Sequence, residues 1–245
     1  MIKNHSRAHW FGASDTHTIM GKWSSQTFAQ WWCVKLGLYE RNIVTEAMQA
    51  GTVYEHRILD AIGIKKRDRQ VKRRWLRLRV NLDGEDRDTI YEVKTCKDRG
   101  EEAIKVSRAY WEQAQIEMYA TKKRRLFVVY YPLREDDYKN FFNEIDLDRV
   151  QKVPVEYDEA WVKSQYLPRL RYLRHCLKRK IIPTWEDSVR ANISSVSLDL
   201  CSGKLLVQLL ADRSAEGVLS EFTEGQELEV NMKRYSPKRS TNANA

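Results

Sequence analysis

The residues of this chain best placed to do chemistry are carboxylates with one lysine among them. Asp83 is followed, after eight intervening residues, by Glu92-Val93-Lys94. If residues 89–95 form a strand, Glu92 and Lys94 share a face, because side chains in a strand alternate with period two. Asp83-Gly84 carries turn chemistry, so Asp83 is expected where the preceding strand ends, and a hairpin would bring the two carboxylates together. Two carboxylates meeting at one point repel unless a cation joins them. Hard oxygen ligands suit Mg²⁺ or Mn²⁺, which retain waters and accept phosphate oxygens as further ligands. The backbone carbonyl of Val93 could add a ligand. Lys94 beside the metal could orient or help deprotonate an attacking water, or stabilise a pentavalent phosphate. Acidic residues near turns and Glu-x-Lys in strands are common, so the pattern needs support from elsewhere in the chain.

Glu55 supplies it. In a helix over residues 46–62, the positions three, four and seven from Glu55 include Gly51, Ile58, Leu59 and Ile62, which sets a carboxylate within an apolar stripe. A lone buried carboxylate costs several kcal/mol (roughly) unless it is paired or binds metal. A partner arginine would also satisfy it. A later helix, capped by Ser107 and running to about Thr121, carries Tyr110, Gln113, Gln115 and Tyr119. Gln113 borders the stripe Tyr110, Ala114, Met118, and its amide can hold a water or a carboxylate; an ordinary interfacial glutamine would look the same.

Several elements must position these groups. Residues 10–40 read as helical pieces, with Ser24 or Ser25 as an N-cap before Phe28, Trp31 and Trp32. Residues 75–82 alternate, with Leu76, Leu78, Val80 and Leu82 on one face. A second strand runs from Thr89 to Thr95, and the apolar run Leu126 to Tyr131, ended by Pro132, reads as a buried strand. Residues 158–180 read as a basic helix bearing aromatics. After Pro183 the composition changes, with weakly β-like segments around Val196, Leu206 and Leu228. The expected division is a main domain over 1–183, a small extension over 184–235 and a frayed tail over 236–245.

Composition narrows the partner. With 43 basic against 34 acidic residues, the net charge of +9 favours an anionic partner, and the basic residues cluster at 65–67, 72–74, 122–125 and 169–180. Nucleic acid is the commonest such partner. No stretch approaches the ~18 apolar residues of a membrane span, and the N-terminus lacks a secretory pattern, so a soluble intracellular protein is expected. Cys33, Cys96, Cys176 and Cys201 contain no CxxC pair, which argues against structural zinc or an iron–sulfur cluster and for buried thiols.

The order of these elements resembles the lambda-exonuclease family, the YqaJ-like viral recombinases of the PD-(D/E)xK nucleases. The segment Trp10-Phe11-Gly12-Ala13-Ser14-Asp15 is similar to that family's first motif, Gly51-Thr52-x-x-Glu55 to its second and Tyr110-Trp111-Glu112-Gln113-Ala114-Gln115 to its last, with Asp83-Gly84 and Glu92-x-Lys94 between them. The likeness spans roughly Arg7 to Pro132. It implies an α/β fold with a central mixed sheet flanked by helices. Asp83, Glu92 and the Val93 carbonyl would hold a metal, Lys94 would act on the nucleophilic water, and Glu55 and Gln113 would position a second metal or its waters. Ser14 and Arg7 would bind a 5′-phosphate. The implied reaction is Mg²⁺-dependent 5′ to 3′ digestion of linear double-stranded DNA, leaving 3′ overhangs for a single-strand annealing partner. A ring-shaped trimer and a phage or prophage gene acting in a bacterial cytoplasm are implied in the same way. Two departures stand out: Leu82 occupies a position where the family has a small residue or proline, and nothing after Pro183 matches. Alternatives are an endonuclease or single-strand nuclease of the same superfamily, or a DNA-binding recombination module without catalysis.

Overall fold

The computed structural model describes residues 7–38, 45–98, 100 and 104–183. Strands β1 (Lys66–Arg73), β2 (Leu78–Glu85), β3 (Thr89–Lys97), β4 (Arg125–Leu133) and β5 (Gln151–Glu156) form one sheet in the order β1-β2-β3-β4-β5. Only the β3–β4 ladder is parallel, and a parallel pair needs a crossover. The helices are α1 (Thr16–Met20), α2 (Gln26–Leu36), α3 (Glu46–Ala61), α4 (Arg108–Thr121), α5 (Glu135–Lys139), α6 (Glu159–Trp161) and α7 (Leu167–Arg179). The crossover between β3 and β4 contains α4.

Period-two alternation in β4 separates two apolar cores. Leu126, Val128 and Tyr130 join Ala114, Ile116 and Met118 of α4, while Val129, Tyr131 and Leu133 join Tyr54, Ile58 and Leu59 of α3. Both faces of the sheet are therefore covered by helices. This is the expected α/β arrangement, a central mixed sheet flanked by helices. The expected caps form: Ser25 accepts from the Phe28 N–H and Ser107 from the Tyr110 N–H. Cys33 and Cys176 are buried thiols as expected, whereas Cys96 is only half-buried and Cys201 lies outside the described residues.

The local expectations needed four corrections. Asp83-Gly84 is not a turn. β2 runs on to Glu85, and the chain reverses at Asp86–Asp88, where Asp86 Oδ1 accepts from the N–H groups of Asp88 and Thr89. The strand expected over 75–82 starts at Leu78, because Arg74–Leu76 is a 3₁₀ turn closed by Arg77 in the left-handed region, φ 52°. Pro132 does not end β4; it lies past the last β4–β5 pair, Tyr130↔Gln151, where a missing N–H is tolerated. The basic helix of 158–180 is interrupted by a π-helical stretch over Val162–Tyr166. Pro168, just after it, cannot donate to the preceding turn and crowds its carbonyl. The segments around Val196, Leu206 and Leu228, and the tail 236–245, lie outside the described residues.

Gly84 is required by packing. A Cβ there would lie 2.6 Å from Leu59 Cδ2 and 3.1 Å from Ile64 Cγ2, both on buried side chains. Gly84→Ala is therefore expected to destabilise the protein by about 1–3 kcal/mol through overpacking of α3 against β2. Urea denaturation measures it, and a loss below roughly 0.5 kcal/mol would show that α3 moves away freely.

Candidate active site

The site begins where two strands part. β2 and β3 pair only at Gly84↔Tyr91 and Glu85↔Ile90. Beyond that point β2 is paired on its far side with β1, and the edge left by β3 is taken by the N-terminal segment. Phe11 bridges Leu78 in parallel, its N–H donating to Arg77 O and its carbonyl accepting from Arg79 N–H, each at 2.8 Å. Asp83 stands at the parting. Its Oδ2 accepts from the Val93 N–H at 2.9 Å, so the carboxylate satisfies a donor that has no β2 carbonyl opposite it.

Glu92 and Lys94 share the face that looks onto α4, as alternation requires, while Val93 packs into the α3 core. Glu92 Oε1 accepts from Lys94 Nζ at 2.5 Å and also from Gln113 Nε2. Gln113 Nε2 donates again to Glu117 Oε1 at 2.8 Å. Lys94 Nζ lies 5.1 Å from the centre of the Tyr110 ring. Glu55, on α3, lies close enough for its half-buried carboxyl to be repelled by Glu92 and to add to the repulsion on Asp83. Asp83, Glu92, Lys94, Glu55 and Gln113, all expected from the sequence, are thus brought together.

Glu117 was not expected. It sits one helical turn after Gln113, wholly buried, between the apolar Ile116 and Met118. The available signal was a glutamate beside the stripe that Gln113 borders, four residues on and hence on the same helix face.

The electrostatics are those of an uncompensated anionic cluster. Burial, followed by repulsion from Glu92, pushes the carboxyls of Asp83 and Glu117 well above the ordinary carboxylate range, and raises that of Glu55. Burial opposes the charge on Lys94, but Glu92 and Asp83 together outweigh it and hold the ammonium above its usual pKa. One lysine faces four carboxylates, and Glu92 Oε2 and Glu117 Oε2 are buried without a hydrogen-bond partner. Orphaned carboxylate oxygens of this kind fit a hard divalent cation.

A pH dependence follows. A carboxyl whose folded pKa lies above its unfolded value keeps a proton that the open chain has released. Stability in chelator is therefore expected to rise as pH falls from neutral toward about 4, the ordinary carboxylate pKa. Glu85 and Asp137, whose basic partners overcome burial to hold their carboxyls low, act in the opposite sense, but only below that window. His9 and His175, lowered first by burial, also oppose the trend, so the cluster is isolated by comparison with Glu117→Gln. Thermal melts between neutral pH and about pH 5 should show a smaller acid gain in the variant and in excess Mg²⁺. Identical slopes in all three would remove the cluster as the cause.

Arg7 and Ser14 meet in a separate cleft of about 220 Å³, lined also by Trp10, Gly12, Asp15, Lys35, Arg79 and Asn81. Asp15 organises it, accepting from Lys35 Nζ at 2.5 Å, Gly12 N–H at 2.6 Å and Trp31 Nε1 at 2.8 Å. Burial lowers the pKa of Lys35 despite the adjacent Asp15. Three cationic side chains face one carboxylate, the balance of an anion pocket. On the other side of the cluster, Glu55 adjoins His56 and Asp68, their ligand atoms lying within 4.8 Å of one another, with His56 Nε2 3.1 Å from Asp68 Oδ2.

No protein-family model matches the chain, and no curated protein matches its sequence. Among solved structures, it is similar to an alkaline exonuclease from Laribacter hongkongensis, at 20% identity over 71% of this chain and 94% of that one, with a TM-score of 0.49. It is similar also to a phage-related exonuclease from Haemophilus somnus, at 16% identity over 76% of this chain and 96% of that one, with a TM-score of 0.49.

Proposed function

We propose that this chain is a metal-dependent deoxyribonuclease that digests linear double-stranded DNA from 5′-phosphorylated ends and leaves 3′ overhangs. One observation carries the reading. Asp83, Glu55, Glu92 and Glu117, the last two each with an orphaned buried oxygen, gather about a single lysine at the parting of β2 and β3, beside a cationic pocket that shares β2. The donor set is hard oxygen, so Mg²⁺ is the fitting ion and Mn²⁺ a substitute. Asp83, Glu92 and the Val93 carbonyl would hold it, with Glu55 and Glu117 serving a second ion or its waters. Bound there, such an ion supplies a water of lowered pKa and offsets charge on the phosphoryl group.

The chain's own groups do the rest. Lys94, kept as an ammonium, donates to the attacking water or to a phosphoryl oxygen. Gln113 fixes Glu92 and Glu117 relative to one another, and Asp83 is fixed by the Val93 N–H. The water oxygen bonds to phosphorus as the P–O3′ bond breaks, and the proton leaves with O3′ on the released nucleotide. The shortened strand then ends in a 5′-phosphate, which is the group that Arg7, Ser14 and Arg79 are placed to receive. A single-strand annealing protein as partner, a trimer encircling the duplex and a phage or prophage gene acting in the bacterial cytoplasm complete the reading, with residues 1–183 as the nuclease domain. No helix among the described residues is long and apolar enough to cross a membrane.

The test compares linear 5′-phosphorylated duplex with a covalently closed circle, each with Mg²⁺ and with chelator. Nucleotide release from the linear form alone, and only with the cation, is expected. Cutting of the circle would move the reading to an endonuclease. No release from either, with DNA binding intact, would leave a non-catalytic binding module.

A further inference from the structure

A second feature of the charge distribution lies outside both the cluster and the pocket. Trp75, at the apex of the turn between β1 and β2, is 56% exposed. A large indole so open to solvent is uncommon on a folded surface. Its neighbours are cations: Arg74 is exposed beside it, Arg77 follows, and Arg171 of α7 stands with its guanidinium 6.0 Å from the ring centre.

α7 explains why they gather there. Leu167, Leu170, Leu173, Cys176 and Leu177 are buried, which turns the opposite stripe, Arg171, Arg174 and Lys178, into solvent at helical spacing. α7 contains no acidic residue, and none of Lys72, Arg74, Arg77, Arg171, Arg174 or Lys178 has a carboxylate partner among the described residues. The arrangement continues to the anion pocket, where Lys72 Nζ stands 5.8 Å from the ring centre of Trp10, one of the pocket's walls.

We infer that this face binds single-stranded DNA, with a base stacked on Trp75 and backbone phosphates on Arg74, Arg77, Arg171 and Arg174. Cations without acidic partners supply a track for phosphates, and an open aromatic supplies a platform for a base. A duplex keeps its base faces stacked inside and has no use for the indole; an acidic protein surface would use the arginines but not a flat apolar ring. That the strand is the one spared by digestion rests on the nuclease reading above; the binding itself does not.

The test is fluorescence anisotropy with the full chain in chelator, so that nothing is hydrolysed. The probes are an oligothymidylate of about 20 nucleotides, long enough for this kind of site, and a blunt hairpin duplex. Trp75→Ala is expected to weaken oligothymidylate binding about tenfold. The double variant Arg171→Glu, Arg174→Glu should weaken it at least as much and lower the slope of log affinity against log salt by about 1. Binding of the hairpin should change much less, and circular dichroism should show both variants folded. Oligothymidylate affinity within about twofold of wild type in both variants would overturn the inference, as would equal losses on the hairpin, which would assign the face to duplex. Failure of the nuclease reading shows up separately, as absence of cation-dependent release in the digestion assay.

Discussion

Lys94→Ala is expected to lower single-turnover nucleotide release from linear duplex by about a thousandfold, with DNA binding in chelator retained. The argument rests on what Lys94 touches. Its ammonium lies 2.5 Å from Glu92 Oε1 and 5.1 Å from the centre of the Tyr110 ring, so its position is set from two sides. It acts on Asp83, Glu55 and Glu117 as well as on Glu92, with His56 acting only on Glu55 beside it. Removing it takes away the donor available to an attacking water or phosphoryl oxygen, and a single donor aimed at developing charge is worth roughly a hundred- to thousandfold. It also leaves the carboxylates without compensation, so the variant should need more Mg²⁺ to reach its residual rate. A residual rate within about tenfold of wild type at saturating Mg²⁺ would show that Lys94 has no part in the reaction.

The second large effect concerns the pocket. Wild type is expected to prefer 5′-phosphorylated over 5′-hydroxyl ends, and Arg79→Gln or Arg7→Ala to reduce that preference by about ten- to a hundredfold, the worth of one charge-assisted hydrogen bond. The measurement is the ratio of kcat/KM on the two ends, which cancels any change in overall rate. Arg79 is the more informative choice because it lies on β2 itself and is buried, 8% exposed. Lys35 is a poor choice, since its buried contact with Asp15 holds the cleft together and its loss would strand that carboxylate. A preference unchanged in both variants would dissociate the cleft from end recognition.

The sequence was most legible where one physical rule acted alone. Alternation placed Glu92 and Lys94 on one face, Ser25 and Ser107 marked helix starts, and the apolar surroundings of Glu55 marked a carboxylate that needed a partner. It misled at Asp83-Gly84, where turn chemistry concealed a packing requirement visible only once Leu59 and Ile64 lie against Gly84. β1 left no pattern because an exposed edge strand has no face to bury, and its charges serve to discourage unwanted pairing; its residues read as basic clusters instead. Glu117 lay hidden because the partners that give it meaning, Gln113 and Glu92, come together only when α4 docks on β3. Arg7 and Ser14 came from resemblance, and their shared cleft depends on Phe11 occupying the edge that β3 leaves, a non-local event with no local signature.

The occupied edge leaves the cleft and the carboxylate cluster on one strand. Asn81 lines the cleft and Asp83 the cluster, two residues apart on β2, which a strand spaces at about 7 Å. β2 is then a ruler, its marks set by covalent bonds and a sheet ladder rather than by a flexible loop. A strand end seated in the cleft would present a phosphodiester to the carboxylates at a fixed step. The size of the product is in that case a property of backbone geometry, and lengthening it would require changing the strand rather than any side chain upon it.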